Sequence, residues 1–284
     1  MPVLREIFTA FIILSGVASH AQVLSPDLRE NRKIQQLEEQ YKHGHYSLAA
    51  QSAREYVAAS NHKVYSENAG DLDKARYYLC LSALKANLPG GKDSALSAME
   101  TTANPAYKQR LGFALAQYYF QHGESTKAMP LYESSGNGGN LDDKEMADGK
   151  FELAYCYFSE KQFNKAEVLF AAIKEQKEGK YYLAANYYYG LIEYNKNKYK
   201  EALVSFDRVK DAAEYKSYVP YYIAEIFYFM GSRDKALALA VSLVKGREKS
   251  FYHKELHLLA AQCLFEAQKY KEAQPFFKYY YDRA

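Results

Sequence analysis

Tryptophan is absent from the 284 residues, cysteine occurs three times and proline seven times. Cys80, Cys156 and Cys263 are odd in number and widely spaced, and no C-x-x-C occurs, so neither a disulfide framework nor a redox pair is on offer. Each lies in an apolar helical pattern and is expected to be a small buried hydrophobe. Scarce proline beside abundant alanine favours helices over a loop-rich β protein. Charge imbalance is also lacking. Lys+Arg minus Asp+Glu is 37 − 34 = +3, too little for a strong electrostatic case for nucleic acid or acidic lipid. After Gln22 no stretch reaches the ~20 apolar residues that a membrane-spanning helix needs. What is plentiful is tyrosine, with 29 residues, and apolar content, 48%, enough for a real core. A disordered tail, a collagen and a disulfide miniprotein are thereby excluded.

The first residues read as an address. Ile7 to Ala18 is an apolar run, Arg5 and Glu6 precede it, and the small residues Ser19 and Ala21 sit where a leader peptidase cuts before Gln22. Residues 1–21 are therefore expected to be a cleaved signal peptide, and residues 22–284 the folded chain. No cysteine follows the run, which argues against a lipidated N-terminus.

The rest is periodic. Ala166, Ala202, Ala236 and Ala273 each follow a charged or aromatic turn, such as Lys198-Tyr199-Lys200-Glu201, at spacings of 36, 34 and 37. Upstream, Ala128 lies 38 before Ala166, Ala95 33 before that and Ala49 46 earlier still. A period near ~34 residues signals a helical solenoid. Twelve residues before the later alanines stands a second small residue: Ala116, Ala154, Gly190, Ala224 and Ala261. Ala83 fits this column less well, and the first unit has Leu37. Small residues at the crossing let two antiparallel helices approach to ~8–10 Å. Aromatics recur four after the second alanine, at Tyr132, Phe170, Phe206 and Phe277, with Ala240 breaking the rule. Gly44, Gly123 and Gly231 fall where a first helix ends, and Asp142, Asp143 and Glu145 load a helix start with favourable negative charge. Lys174 to Lys180 reads as a solvated turn between pairs.

These columns resemble the tetratricopeptide repeat, with Leu-Gly-x-x-Tyr in one helix and Ala-x-x-x-Phe in the next. The matching segments are Leu115-Ala116…Tyr119, Leu153-Ala154…Tyr157, Tyr189-Gly190…Glu193 and Ile223-Ala224…Phe227. The early Trp and the late Pro of the pattern are missing. The resemblance covers about Glu30 to Tyr281 and implies an all-α fold, a right-handed α-α superhelix of about seven helix pairs. The expected repeats are approximately 30–58, 71–101, 107–135, 145–175, 181–211, 216–245 and 252–281. Ala75 to Ala86, Tyr187 to Phe206 and Val219 to Leu237 also look like segments of large exported repeat proteins of Bacteroidota. That resemblance implies a cell-envelope interaction protein, periplasmic or outer-membrane-associated.

Catalytic chemistry is not visible. Gly90-Gly91-Lys92-Asp93-Ser94 lacks the first glycine of a phosphate loop, and Asp93 stands where Ser or Thr should follow the lysine. His253 and His257 are one helical turn apart, but the order His-Lys-Glu-Leu-His is not that of a metalloprotease, and a third ligand is missing. They are expected on a solvent-facing helix edge. His43 and His45 lie in a turn. No serine has a nucleophile-elbow context. No catalytic residue, cofactor site or metal site is assigned.

The feature that stands out is aromatic. With the small residue as position eight of each first helix, positions five and twelve read Phe113/Phe120, Phe151/Phe158, Tyr187/Tyr194, Tyr221/Tyr228 and Leu258/Phe265. Seven residues are two helical turns, so each pair shares one face. In tetratricopeptide proteins these positions, with position nine (Gln117, Tyr155, Leu191, Glu225, Gln262), face the concave groove. The resemblance thus implies a partner-binding groove at Phe113, Phe120, Phe151, Tyr155, Phe158, Tyr187, Leu191, Tyr194, Tyr221, Glu225 and Tyr228. The alternative is that the same rings pack between neighbouring first helices as core. Aromatic grooves take extended Pro-rich segments or the apolar face of a helix. The carboxylate clamp of one subfamily, Lys/Arg at position five and Asn at nine, is not present.

Tyr270, Ala273, Phe276, Phe277 and Tyr280 make one apolar face on the last helix, expected to meet another molecule or further chain, since solenoid ends need a polar cap. The expected function is a non-catalytic scaffold for protein–protein interaction in the bacterial cell envelope, its partner a protein or peptide rather than nucleic acid. An extracytoplasmic sensor module of a larger signalling or envelope-assembly protein is the alternative. A glycan-directed enzyme is the rival that every motif test counts against.

Overall fold

The computed structural model describes residues 26–61, 69–136, 139–246 and 250–283, with side chains from Arg32 onward. The leader reading lies outside these residues. The described residues form fourteen α-helices and no strand. In chain order they are α1 Pro26–Lys42, α2 Tyr46–Asn61, α3 Ala69–Lys85, α4 Gly91–Thr101, α5 Pro105–Gln121, α6 Ser125–Ser135, α7 Asp143–Ser159, α8 Phe163–Ile173, α9 Tyr182–Asn195, α10 Tyr199–Asp207, α11 Val219–Phe229, α12 Arg233–Lys245, α13 His253–Glu266 and α14 Tyr270–Tyr281. Consecutive helices pack into seven pairs, and each second helix also packs on the first helix of the following pair.

One turn closes every pair. In each, one residue just past the first helix enters the left-handed region: Gly44, Asn87, Gly123, Lys161, Asn197, Gly231 and Gln268, with φ of 76, 49, 72, 58, 59, 78 and 59°, and the loop of the second pair has a further one at Gly90, 74°. The amide after the residue just past the helix donates to the carbonyl four residues before that left-handed residue, as in His45 N to Gln40 O (2.9 Å), Gln162 N to Tyr157 O (2.8 Å) and Lys269 N to Leu264 O (2.9 Å). This is the Schellman closure, which satisfies carbonyls that the helix end would orphan. The expected glycines are in place, and four pairs accept the strain of a side chain there.

This turn also corrects the register of the second pair. The small residue lies seven before the left-handed residue in the later pairs, and seven before Asn87 is Cys80, not Ala83. Cys80 is 4% exposed and its Sγ donates to Ser94 O at 3.4 Å. The loop of this pair, residues 86–90, is longer than the three-residue loops of the others, and Ala95 lies fifteen residues after Cys80 instead of twelve. The other small residues lie as expected: Ala116, Ala154, Ala224 and Ala261 are fully buried, as are Ala128, Ala166, Ala202 and Ala236. Phe170 and Phe206 are fully buried too, and Tyr132 nearly so. At Gly190 there is no room for a side chain, because a Cβ would stand 2.6 Å from Phe206 Cε1. Asp142 and Glu145 form a reciprocal capping box at the start of α7, Glu145 N to Asp142 Oδ1 2.7 Å and Asp142 N to Glu145 Oε2 3.1 Å.

The three cysteines are free and buried. Burial pushes each thiol up to about 11, so none is a reactive thiolate at neutral pH.

Candidate functional site

First helices pack on one another, α1 on α3, α3 on α5, α5 on α7, α9 on α11 and α11 on α13, while α7 and α9 meet through side chains such as Tyr155 and Tyr188. The second helices do not pack on each other in this way, so they fan apart and the stack curves with its first helices inside. The face of α3, α5, α7, α9, α11 and α13 turned away from the second helices is therefore an inner wall. Two materials line it.

From α3 to α7 the wall is charged and internally paired. Lys85 Nζ donates to Gln117 Oε1 (2.8 Å), and Arg110 bridges Glu145 Oε1 (2.8 Å) and Asn140 O (2.6 Å). Asp148 accepts from Lys180 Nζ (3.1 Å) and Tyr181 Oη (2.7 Å). Glu152 accepts from Tyr132 Oη. Burial draws the Lys85 ammonium below the ordinary lysine value and raises the Glu152 carboxyl above the usual carboxylate range.

From α7 to α13 the wall is aromatic, and its order is set by a column that sequence reasoning missed. Nine residues before the small residue stand Tyr107, Tyr181, Tyr215 and Tyr252. Each stacks on the position-five ring of the preceding first helix: Tyr77 on Tyr107 (4.2 Å), Phe151 on Tyr181 (4.1 Å), Tyr187 on Tyr215 (4.7 Å) and Tyr221 on Tyr252 (4.4 Å). The stacked rings tie one repeat to the next. The signal was present as a tyrosine at fixed offset, but it falls near or before the first helical residue, outside the pattern that defines the pair.

The groove residues therefore divide. Phe113 is not on the open wall: it is 3% exposed, set edge-on to Tyr132 at 5.9 Å. Its ring fills the space above Gly149, where a Cβ would lie 2.6 Å from Phe113 Cε2. No tyrosine follows it at the stacking place, where Glu145 stands, so the ring turns into the core. Phe151, Tyr187 and Tyr221 are half-buried rungs of the ladder. Phe120, Tyr155, Phe158, Leu191, Tyr194, Glu225 and Tyr228 are also half-buried, and they are brought together. Phe120 meets Tyr155 at 5.8 Å, and Tyr155 meets Tyr188 at 5.3 Å. Phe158 lies 5.0 Å from Tyr188, and Tyr194 5.3 Å from Tyr222. Leu191 packs on the cluster around Phe206. Tyr228 donates to Glu266, while Arg233 lies 4.8 Å above its ring.

Glu225 is the one carboxylate among the expected groove residues. Tyr194 Oη donates to its Oε2 at 2.7 Å and Tyr221 Oη to its Oε1 at 2.5 Å. Burial first, and then these bonds to a carboxylate, push both phenols above the ordinary tyrosine value, so both stay protonated donors.

His257 is not on a solvent-facing edge. It is 6% exposed, its ring stacks on Tyr279 at 3.6 Å, and its Nδ1 lies 2.8 Å from His253 O. Among the described residues no group of three or more His, Cys, Asp or Glu is placed to hold a metal ion. No helix among them is long and apolar enough to cross a membrane. On α14, Ala273 is buried, Phe276 and Phe277 are half-buried, and Tyr270 is 55% exposed.

No protein-family model matches the chain. No curated protein matches it. Solved structures do. A mutant form of MamA aligns at 17% identity over 63% of this chain and 99% of its own, with a TM-score of 0.51. PilF of Pseudomonas aeruginosa aligns at 12% identity over 82% of this chain and 98% of its own, TM-score 0.51. The apo form of RapI aligns at 14% identity over 89% and 75%, TM-score 0.50. These are tetratricopeptide-repeat proteins. At such identities the likeness speaks for the fold alone, and with the paired helices and their shared turn it defines the class: an all-α tetratricopeptide-repeat solenoid.

Proposed function

We propose that this chain is a non-catalytic scaffold that holds a protein partner, as an extended peptide or a helix, against the inner wall of its first helices. The observation that carries this reading is the run of half-buried aromatic side chains from Phe120 to Tyr228, many of them in ring contact across neighbouring first helices. Rings fixed by stacking lose little freedom when a ligand covers them, which favours binding. Tyrosine also presents an apolar body with a polar tip, suited to a surface that alternates between wet and covered. The paired charges of α3 to α7 add register rather than net attraction. With the leader expected at residues 1–21, the scaffold would work outside the cytoplasm, in the bacterial cell envelope.

The test compares two faces. Leu191→Arg places a charge on the inner wall, whereas Val204→Arg places one on the outer face, where Val204 is 55% exposed. Both variants should keep wild-type helicity. Loss of the co-purifying partner in the first and its retention in the second supports the reading. Equal retention in both contradicts it.

A further inference from the structure

Several carboxylates between neighbouring helices of this solenoid are matched to a cation of the chain itself. Glu145 has Arg110, Glu167 has Lys196, Glu175 has Arg208, Glu193 has Lys198 and Glu266 has Arg233, at 2.8, 2.5, 3.1, 3.3 and 2.6 Å. Glu225 differs. Among the described residues no ion pair reaches it, and its bonds come from the hydroxyls of Tyr194 and Tyr221. Glu225 bears on both phenols, and Glu255 bears on Tyr221 as well.

Its surroundings are rigid. Tyr221 rests on Tyr252 at 4.4 Å, and Tyr194 meets Tyr222 at 5.3 Å. Tyr222 Oη and Tyr252 Oη lie 2.7 Å apart, which ties the two rings behind the site. Tyr194, Tyr221 and Glu225 are each half-buried, so the carboxylate is partly withdrawn from water yet still reachable.

We propose that Glu225, framed by Tyr194 and Tyr221, is a subsite for one cationic side chain, lysine or arginine, of a peptide lying on the inner wall. The two hydroxyls use one lone pair on each oxygen and fix the carboxylate's direction, which leaves acceptor sites for an ammonium or guanidinium. Ring faces attract a cation beside the carboxylate. A half-buried charge without an ionic partner is compensated when the ligand brings one, and screening by salt is weaker there than on an open surface. This inference rests on the inner wall being where the partner lies.

The probe is a set of fluorophore-labelled heptapeptide pools, capped at both ends, with randomised flanks and a fixed central lysine, arginine, norleucine or glutamate. Binding is read by fluorescence polarisation. The lysine and arginine pools should bind about tenfold tighter than the norleucine pool, the scale of a cation–π contact with a carboxylate behind it. The glutamate pool should bind most weakly. Glu225→Gln, with helicity unchanged, should bring the lysine and arginine pools to the norleucine level. Tyr194→Phe, which keeps the ring, should retain the preference. Equal binding of the lysine and norleucine pools, or a preference intact in Glu225→Gln, overturns the subsite. If those pools still bind and Leu191→Arg abolishes that binding, the groove stands while the subsite falls. If no pool binds, both fall.

Discussion

Gly190 and Phe206 are packed so closely that a Cβ on the glycine would lie 2.6 Å from the ring's Cε1 and 2.8 Å from Cδ1. The neighbouring repeats have alanine at this crossing, Ala154 with Phe170 at the matching place, whereas here the fully buried Phe206 ring stands where the methyl group would be. Gly190→Ala should gain ~1 kcal/mol of helix propensity and lose ~1–3 kcal/mol to overpacking. A lower denaturation midpoint, restored by adding Phe206→Leu, is the expected result. A stabilised single variant would show that the two helices stand further apart.

The turns give a prediction of opposite sign. Lys161 and Gln268 hold φ of 58 and 59°, where a side chain costs ~1–2 kcal/mol and glycine nothing. Lys161→Gly should raise stability by ~1 kcal/mol, and Gly123→Ala should lower it by a similar amount. Chemical denaturation of the two variants checks both signs.

The seven turns also mark what the sequence made legible. The alanine columns, the buried aromatics four residues after them and the turn glycines could be read because each is a residue type at a fixed spacing with one physical reason. Cys80 could not be read as the small residue of its pair, because a longer loop made the spacing to Ala95 fifteen residues instead of twelve. Phe113 was misplaced for a different reason. Two helical turns put it on the same face as Phe120, but whether a ring at that position lies outward or inward depends on its neighbour in the next repeat. Glu145 and Gly149 together let it fall into the core. The pairing of Glu225 with Tyr194 crosses from one repeat to the next and has no signature along the chain.

The stacked ladder should carry stability between repeats. Tyr215→Ala removes the platform beneath Tyr187, 4.7 Å away, and should cost ~2–3 kcal/mol. Tyr215→Phe keeps the ring and should stay within ~0.5 kcal/mol of wild type. Equal losses in the two variants would assign the effect to the hydroxyl and contradict the ladder. For the same reason, alanine at Tyr187 or Tyr221 would mix lost packing with lost binding.

Glu193 supplies a pH dependence. It is fully buried where the two preceding repeats place Tyr119 and Tyr157, and neither oxygen has a donor in hydrogen-bonding geometry, although Lys198 Nζ lies 3.3 Å from Oε2. Burial raises its carboxyl above the usual carboxylate range, with nearby Glu167 adding to the rise. The native state therefore holds a proton that the unfolded chain releases near pH ~4.3, and stability falls as pH rises through the window from there to the raised native value. Glu193→Gln removes this term. The difference in melting temperature, variant minus wild type, should grow more positive from pH 4 to pH 8. A difference that stays constant or shrinks over that range would contradict the assignment.

The most direct measurement of where the partner lies is site-specific photo-crosslinking in cells. A benzophenone side chain is placed at Tyr155 or Leu191 on the inner wall, and at Val168 or Val204 on the outer face, where exposure is 69 and 55%. Adducts to a partner protein from the two inner positions, and none from the outer two, are the expected result. Adducts from the outer positions alone would contradict the inner wall as the site of binding.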